Sequence, residues 1–347
     1  MTAEGPPRLP PLPPGLLSTG GRRRGRRGRV LALAAVALVA CGVAAVLLLG
    51  LDRNGGSRRA DPAPIAAGAP ALPREAATEA EPDPIAPAQP VPEVPLAGDD
   101  TVDVEFRKPP RGALLFDVRS GEVLWRRKPL KVLPMASLTK IMTAVLVTER
   151  AGPSVPVRIT PAALHYQGSG VGLLPRGRRV RLEALLNGLL LVSGNDAAIA
   201  LADHVSGTER RFVRLMNRRA RSLGLSCTHF VSSHGLEAGN RSCAHDLAVL
   251  TRVAMKRKRI RRIARRSQAD FKFPIKGGRL YLSGHNPLIR AGYRGAIGLK
   301  TGYTDEAGLC FAGVAKRGGR TLAVVLLHSP NPARQAARLL DAGFAER

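Results

Sequence analysis

Aromatic side chains are scarce: Phe, Tyr and Trp make up 4% of the 347 residues, and none falls inside the basic run Lys256–Arg266. That argues against a base-stacking surface, which interleaves aromatic faces with positive charge. Cysteine is sparse as well, with four residues, so a small scaffold stapled by disulfides is excluded. The seven histidines (165, 204, 229, 234, 245, 285 and 328) show no metal-ligand spacing, and no cofactor is implied. Acidic residues are few: 26 Asp and Glu face 54 Lys and Arg, a formal net charge of +28. Such an excess first suggests a nucleic-acid partner. Only ten of the cations are lysine, however, and an arginine bias of that kind looks partly like GC-rich coding. What is present is 44% hydrophobic material, enough to fold rather than stay solvated. The length suits one large or two modest domains, and no internal repeat is visible.

The organisation along the chain changes the meaning of the charge. Residues 1–29 form a Pro- and Arg-rich tail without apolar periodicity, and Arg22, Arg23, Arg24, Arg26, Arg27 and Arg29 lead into an uncharged apolar run over 30–51. About 20 apolar residues span a bilayer as a helix. The preceding arginines place the N-terminus in the cytoplasm and the rest outside. Two rivals are a cleaved signal peptide, for which the run is long, and lipidation at Cys41 in Leu38-Val39-Ala40-Cys41, beyond which the apolar run continues. Residues 52–102 read as an extended Pro/Ala-rich extracytoplasmic linker. The folded domain is then 103–347, with 43 basic and 16 acidic residues, so nearly all the excess charge lies on the exported part. The N-terminal membrane signal makes nucleic acid an improbable partner.

Within that domain, Gly112–Val118 and Glu122–Trp125 read as strands of a hairpin around Arg119-Ser120-Gly121. Helical patterns follow over 135–149, 182–191, 195–205, 209–223 and 243–255. Strands return at 295–300, 309–315 and 321–327, and a helix closes the domain over 332–344. Strands at both ends with helices between them predict an α/β domain, an antiparallel sheet covered by helices.

Three short elements carry chemistry. Ser137 and Lys140 are three apart at a predicted helix start, on one face. A serine hydroxyl needs a neighbouring base, and a desolvated lysine can be one. Ser193 and Asn195 lie on a loop after an apolar helix, where a hydroxyl could relay a proton and an amide could bond a carbonyl; helix capping is the bland alternative. On a predicted strand, Lys300 and Thr301 offer a cation and a hydroxyl to a carboxylate, and Gly302 lets a ligand backbone approach. Each is weak alone. In this order, with first residues 56 and 107 positions apart, they match the S-x-x-K, S-D-N and K-T-G set of penicillin-binding proteins and class A β-lactamases, except that Gly194 stands in place of the middle Asp, which leaves the two reactive side chains intact.

The segments 136–145 (ASLTKIMTAV), 189–200 (LLLVSGNDAAIA), 212–217 (FVRLMN) and 298–308 (GLKTGYTDEAG) resemble the low-molecular-weight D-alanyl-D-alanine carboxypeptidases, peptidase family S11, in an actinobacterial-type form with an N-terminal anchor. Leu223-Gly224-Leu225, Thr228-His229-Phe230 and His234-Gly235-Leu236 fit the same pattern, and the likeness runs from about 110 to 345. The resemblance implies a β-lactamase/transpeptidase-like fold with an all-helical subdomain. It implies that Ser137 is acylated, Lys140 activates it, and Ser193 and Asn195 assist proton transfer and position the peptide. Lys300 and Thr301 would hold the terminal carboxylate beside Gly302, and the N–H groups of Ser137 and Tyr303 would form the oxyanion hole. The implied substrates are peptidoglycan stem peptides ending in D-Ala-D-Ala, with β-lactams as inhibitors. The alternatives are a β-lactamase and a non-catalytic cell-wall-binding module on the same fold. Ending 47 residues after Lys300, the chain is expected to lack the β-rich C-terminal domain of many relatives.

Other residues bear on these readings. Glu183-Ala184-Leu185-Leu186-Asn187 fits a pattern tied to deacylation in class A β-lactamases, but it precedes the Ser193 element here, and Glu183 reads as the polar face of a packing helix. A triad through His234 or His245 could be drawn, yet Ser137 and Lys140 already supply nucleophile and base. Cys227 and Cys243, on the exported side, are expected to pair, closing a loop worth about 3 kcal/mol. Cys310 reads as a buried thiol; two free core cysteines are the alternative to the pair. Lys256–Arg266 reads either as a solvated helix end or as a contact for anionic wall polymer or lipid headgroups.

Overall fold

In the computed structural model, which describes residues 93–346, five strands form one antiparallel sheet. They are β1 (Gly112–Asp117), β2 (Val123–Arg127), β3 (Ala296–Thr304), β4 (Gly308–Arg317) and β5 (Arg320–Leu327), in the spatial order β2-β1-β5-β4-β3. The apolar strand β1 is buried throughout because both faces of the sheet are covered. Leu114 and Phe116 face one core, and Ala113 and Leu115 face the other, as the two-residue period of a strand requires. β3 lies at one edge of the sheet.

Six helices of seven or more residues precede β3: α1 (Lys140–Arg150), α2 (Leu182–Leu191), α3 (Asn195–Ser206), α4 (Glu209–Ser222), α5 (Ala244–Lys256) and α6 (Lys258–Ala264). α5 packs on β1 and β5, and α1 links it to α2, α3 and α4, which form the helical part of the domain. Nine of the ten residues of α2 are buried, which explains why its sequence is apolar apart from Glu183 and Asn187. α4 is amphipathic instead, burying Phe212, Leu215, Met216 and Ala220 at helical spacing, and Thr208 Oγ1 caps it by accepting from Arg211 N at 3.3 Å. The last helix, α7 (Pro332–Ala345), starts at an Asn331 cap and seals the opposite face of the sheet with Ala336, Leu339 and Leu340.

Several differences from the sequence expectations have physical causes. The helix expected over 135–149 begins only at Lys140; a 3-10 turn, Ala136–Thr139, comes first. Ala136 takes φ +49°, a left-handed conformation that an α-helix cannot contain. The hairpin of Gln268–Lys272 with Arg279–Ser283 was not anticipated, since its strands carry Asp270, Lys272 and Arg279 on an exposed face. The predicted boundary at 103 also lies too late. Val94 and Val102 are buried, Thr101 N and Val102 N both donate to the Leu124 carbonyl, and the Arg126 guanidinium holds Asp100 and the carbonyls of Leu96 and Gly98. Proline in this stretch removes few needed donors, so extended chain can dock on the sheet edge.

The expected tail over 1–29, span over 30–51 and linker up to residue 92 lie outside the described residues. Among the described residues no helix is long and apolar enough to cross a membrane. Cys227 and Cys243 are joined by a disulfide that ties the turn after α4 to the start of α5. Cys310 on β4 is a buried free thiol whose pKa burial pushes up to about 11, which disfavours the thiolate.

Candidate active site

The left-handed turn at Ala136 presents Ser137 at the head of α1. Thr139 Oγ1 donates to the Ala136 carbonyl at 2.8 Å, closing the turn. Gly235, at φ +85°, packs against that same carbonyl, where any Cβ would collide with it. A 3-10 turn aligns residues three apart, which brings Lys140 Nζ to 2.9 Å from Ser137 Oγ.

Lys140 is fully buried and has two further partners. Nζ donates to Asn195 Oδ1 and to the His234 carbonyl, each at 2.7 Å. Asn195 cannot be turned the other way, because its Nδ2 donates at 2.6 Å to the Gln167 carbonyl, which only accepts. Burial, reinforced by the nearby charge of Lys300, holds the Lys140 pKa well below the ordinary lysine range against the opposing pull of Asp196 and Glu237.

A second lysine completes the cleft. Lys300 on β3 is also buried, donates to Ser193 Oγ at 2.9 Å and to the Thr301 carbonyl at 2.8 Å, and burial draws its pKa down to about 7. Ser193 takes φ +61°, again left-handed, between α2 and α3. A Cβ on Gly302 would stand 3.0 Å from Ser137 N and 3.3 Å from Leu138 N, so β3 runs directly against the nucleophile turn. Thr301 is half-buried beside it and Tyr303 is exposed, its hydroxyl donating to Asp305 Oδ1 at 2.8 Å.

The structure therefore joins Ser137, Lys140 and Asn195 in one hydrogen-bonded group, and Ser193 with Lys300 in a second, with Thr301, Gly302 and Tyr303 on the adjoining strand. The sequence reading missed four supports of this arrangement. The His234 carbonyl and the Gln167 carbonyl are backbone acceptors, invisible in residue identity. Asp196 is buried and accepts from Val171 N, Gly172 N and Ala197 N, at 2.9, 2.9 and 2.7 Å. It thereby pins the 167–172 loop against Asn195, although desolvation raises its own pKa. Glu209 accepts from Ser233 N and Ser233 Oγ at 2.8 and 2.6 Å, fastening the segment that brings His234 to Lys140. An acid following Ser-Gly-Asn, and a glycine following His234, were the available signals.

The other candidates fall elsewhere. Glu183 is bound by Arg259 at 2.8 Å and Arg262 at 2.7 Å, a packing role as expected. The His245 ring bridges Asp246 Oδ1 and the Val94 carbonyl, and the His234 ring faces Glu209 and Glu237, so neither ring bonds to Ser137. Asp246 approaches both Cys227 and Cys243, but their sulfurs are committed to the disulfide.

The D-alanyl-D-alanine carboxypeptidase family, peptidase S11, matches residues 108–331. The chain belongs to this family. A D-alanyl-D-alanine carboxypeptidase of Bacillus subtilis is 35% identical over 245 residues, covering 68% of this chain and 62% of the relative. One from Mycobacterium tuberculosis is 36% identical and covers 67% of this chain and 81% of the relative. Among solved structures, a D-alanyl-D-alanine carboxypeptidase from M. tuberculosis superposes with TM-score 0.66 at 34% identity, covering 72% of this chain and 96% of that one. A Streptomyces DD-transpeptidase gives TM-score 0.65 at 31% identity over 70% of this chain and all of its own. The S11 family and these DD-peptidase neighbours agree with the transpeptidase-like fold of sheet and helices described above.

Proposed function

We propose that the chain is a serine-type D,D-carboxypeptidase that removes the terminal D-Ala from stem peptides ending in D-Ala-D-Ala, through an acyl-enzyme on Ser137. The observation that carries this reading is the set of partners around Lys140. A neutral amine has two N–H bonds and one lone pair. Asn195 Oδ1 and the His234 carbonyl can only accept, so they take both N–H bonds and leave the lone pair for the Ser137 hydroxyl. The lowered pKa keeps the amine available as a base.

On this reading, Ser137 Oγ attacks the D-Ala–D-Ala carbonyl as its proton passes to Lys140 Nζ. The developing oxyanion meets the N–H groups of Ser137 and Tyr303, a contribution of about 10²–10³ in rate per donor. The third proton of the Lys140 ammonium goes to the departing amine of D-Ala, with Ser193 as the relay. Water then attacks the ester, giving a proton to Lys140, which passes it to Ser137 Oγ as the acyl–Oγ bond breaks and the shortened peptide leaves as its carboxylate. The terminal carboxylate pairs with Lys300 and Thr301, while the peptide lies along the outer edge of β3, adding a strand to the sheet. β-Lactams, with a similarly placed carboxylate, acylate the same serine.

The reading includes an uncleaved anchor over 30–51, an N-terminus in the cytoplasm and a domain that works outside the cell membrane. It is supported by the apolar run and the arginines before it. The β-lactamase alternative is disfavoured because Glu183 is held by Arg259 and Arg262. The Streptomyces relative named a transpeptidase favours one second reading, in which an amine rather than water takes the acyl group.

The test is labelling by a fluorescent penicillin alongside D-Ala release from a D-Ala-D-Ala pentapeptide. The wild type should do both, and Ser137→Ala neither. Failure of the wild type to label, or labelling of Ser137→Ala, ends the assignment. Rapid nitrocefin turnover without a stable acyl-enzyme would select the β-lactamase. Loss of hydrolysis in favour of adduct when glycine is supplied would select the transpeptidase. Protease treatment of intact cells should remove the domain; its protection would reverse the topology.

A further inference from the structure

At the end of the sheet away from the nucleophile turn, the start of β3, the end of β4 and the start of β5 border a groove of about 720 Å³. Its floor contains Val118, Met255 and Ile297. Every charged residue in its lining is a cation, and no aromatic side chain contributes. Arg119 comes from the turn after β1, Lys256 from the end of α5, Lys258, Arg261, Arg262 and Arg265 from α6 and the residue after it, and Lys316 from β4.

The basic run 256–266 divides into two populations here. Arg257 is turned onto Glu149, Arg259 and Arg262 onto Glu183, and Arg266 onto the Asn187 amide oxygen at 3.1 Å. Lys256, Lys258, Arg261 and Arg265, with Arg119 and Lys316, have no acidic partner among the described residues. Arg261 Nη1 donates at 2.6 Å to the Met255 carbonyl, fixing its guanidinium at the end of α5. Ile260 and Ile263 are fully buried, so α6 presents its cations on a fixed support. The groove therefore gathers like charges from separate elements around one concavity, where they repel unless an anion joins them.

We propose that this groove binds a linear phosphodiester polymer, holding the enzyme on an anionic matrix while the catalytic cleft stays open. A concave site admits a chain but not the flat face of a bilayer. Guanidinium groups suit phosphate because their fork can bond two oxygens at once. The lack of aromatics in the lining removes base stacking. The charge geometry stands independently of the reaction; preference for a wall-type polymer over nucleic acid rests on the extracytoplasmic placement proposed above.

The full chain is titrated with synthetic poly(glycerol phosphate) at several salt concentrations. Six cations engaging a flexible chain give a slope of about −4 for log association constant against log salt. Lys258→Gln/Arg265→Gln/Lys316→Gln should bring the slope to about −2 and weaken binding about 100-fold at 0.1 M salt. Its penicillin acylation rate should stay that of the wild type. Arg107→Gln/Arg150→Gln/Arg334→Gln removes the same net charge outside the groove and should change affinity less than threefold. Equal weakening in both variants would reduce the effect to overall charge and overturn the proposal. So would absent binding of the soluble polymer, or groove-dependent binding only to phosphatidylglycerol vesicles.

Discussion

Gly302→Ala tests the geometry of the cleft at its tightest point. The added methyl would meet Ser137 N at 3.0 Å, Ala136 Cβ at 3.1 Å and Leu138 N at 3.3 Å. All three belong to the rigid 3-10 turn, so no side-chain rotation relieves the contact. Comfortable carbon contacts lie at about 3.5–4.0 Å, so the strand and turn must part by roughly 0.5 Å. Since a misplacement of about 1 Å can lower a rate about 100-fold, half of that accounts for about tenfold. The methyl also lies over the Ser137 N–H, and losing one oxyanion donor lowers the rate by about 10²–10³. The combined expectation is a fall of at least about 100-fold in the second-order acylation constant, with an overpacking cost of about 1–3 kcal/mol. A time course of fluorescent penicillin labelling measures the first, and thermal unfolding the second. Gly152→Ala serves as a control, because its methyl would touch only Val155 Cγ2 at 3.8 Å. If Gly302→Ala acylates within threefold of the wild type, β3 does not approach Ser137 as described and the reasoning fails.

Three further outcomes are expected. Lys300 has its pKa lowered from 10.5 in the unfolded reference to about 7, so between those values the unfolded chain binds more protons and stability rises with pH. Lys300→Met should flatten that rise and increase Tm at pH 7 while abolishing recognition of carboxylate-terminated peptide; a lower Tm with an unchanged pH profile would contradict it. Asp196→Asn leaves one acceptor oxygen for three backbone N–H groups, so about 1–3 kcal/mol of stability and most acylation activity should be lost; normal acylation would show that Asn195 does not depend on this carboxylate. Cys227→Ala/Cys243→Ala opens a loop with a sequence separation of 16, which predicts a loss of about 3 kcal/mol in denaturant unfolding, and an unchanged midpoint would refute a stabilising role.

The parts of the fold that were legible share strong local signals. Leu182–Leu191 appears as an apolar block and forms α2 with the same limits, because a buried helix carries its environment in its composition. β4 and β5 follow from apolar runs divided by the Gly318-Gly319 turn, where both glycines take positive φ. The site was legible as three pairs of side chains, since nucleophile, base and anion-binding groups require particular residue types. What joins the pairs was not. Lys140 depends on a carbonyl 94 positions away and Asn195 on one 28 positions before it, and any residue supplies a carbonyl. The left-handed turn at Ala136 was hidden for a related reason: alanine favours helix, and only the tertiary contacts of Gly235, Thr139 and β3 impose another conformation. The docking of residues 94–102 was obscured by proline-rich composition, which describes the chain before it meets a surface.

The two buried lysines also make the base answerable to its own substrate. Lys300 contributes to the depressed basicity of Lys140 through charge alone. On the proposed reading, a peptide that places its terminal carboxylate on Lys300 offsets that charge and lets the Lys140 pKa rise, while burial, the larger cause, still holds it below the ordinary range and keeps the amine free to accept the Ser137 proton. A ligand lacking the carboxylate leaves the Lys300 charge in place. Discrimination for a free C-terminus would thus be written twice, once in affinity at Lys300 and again in the reactivity of a serine that the carboxylate never touches.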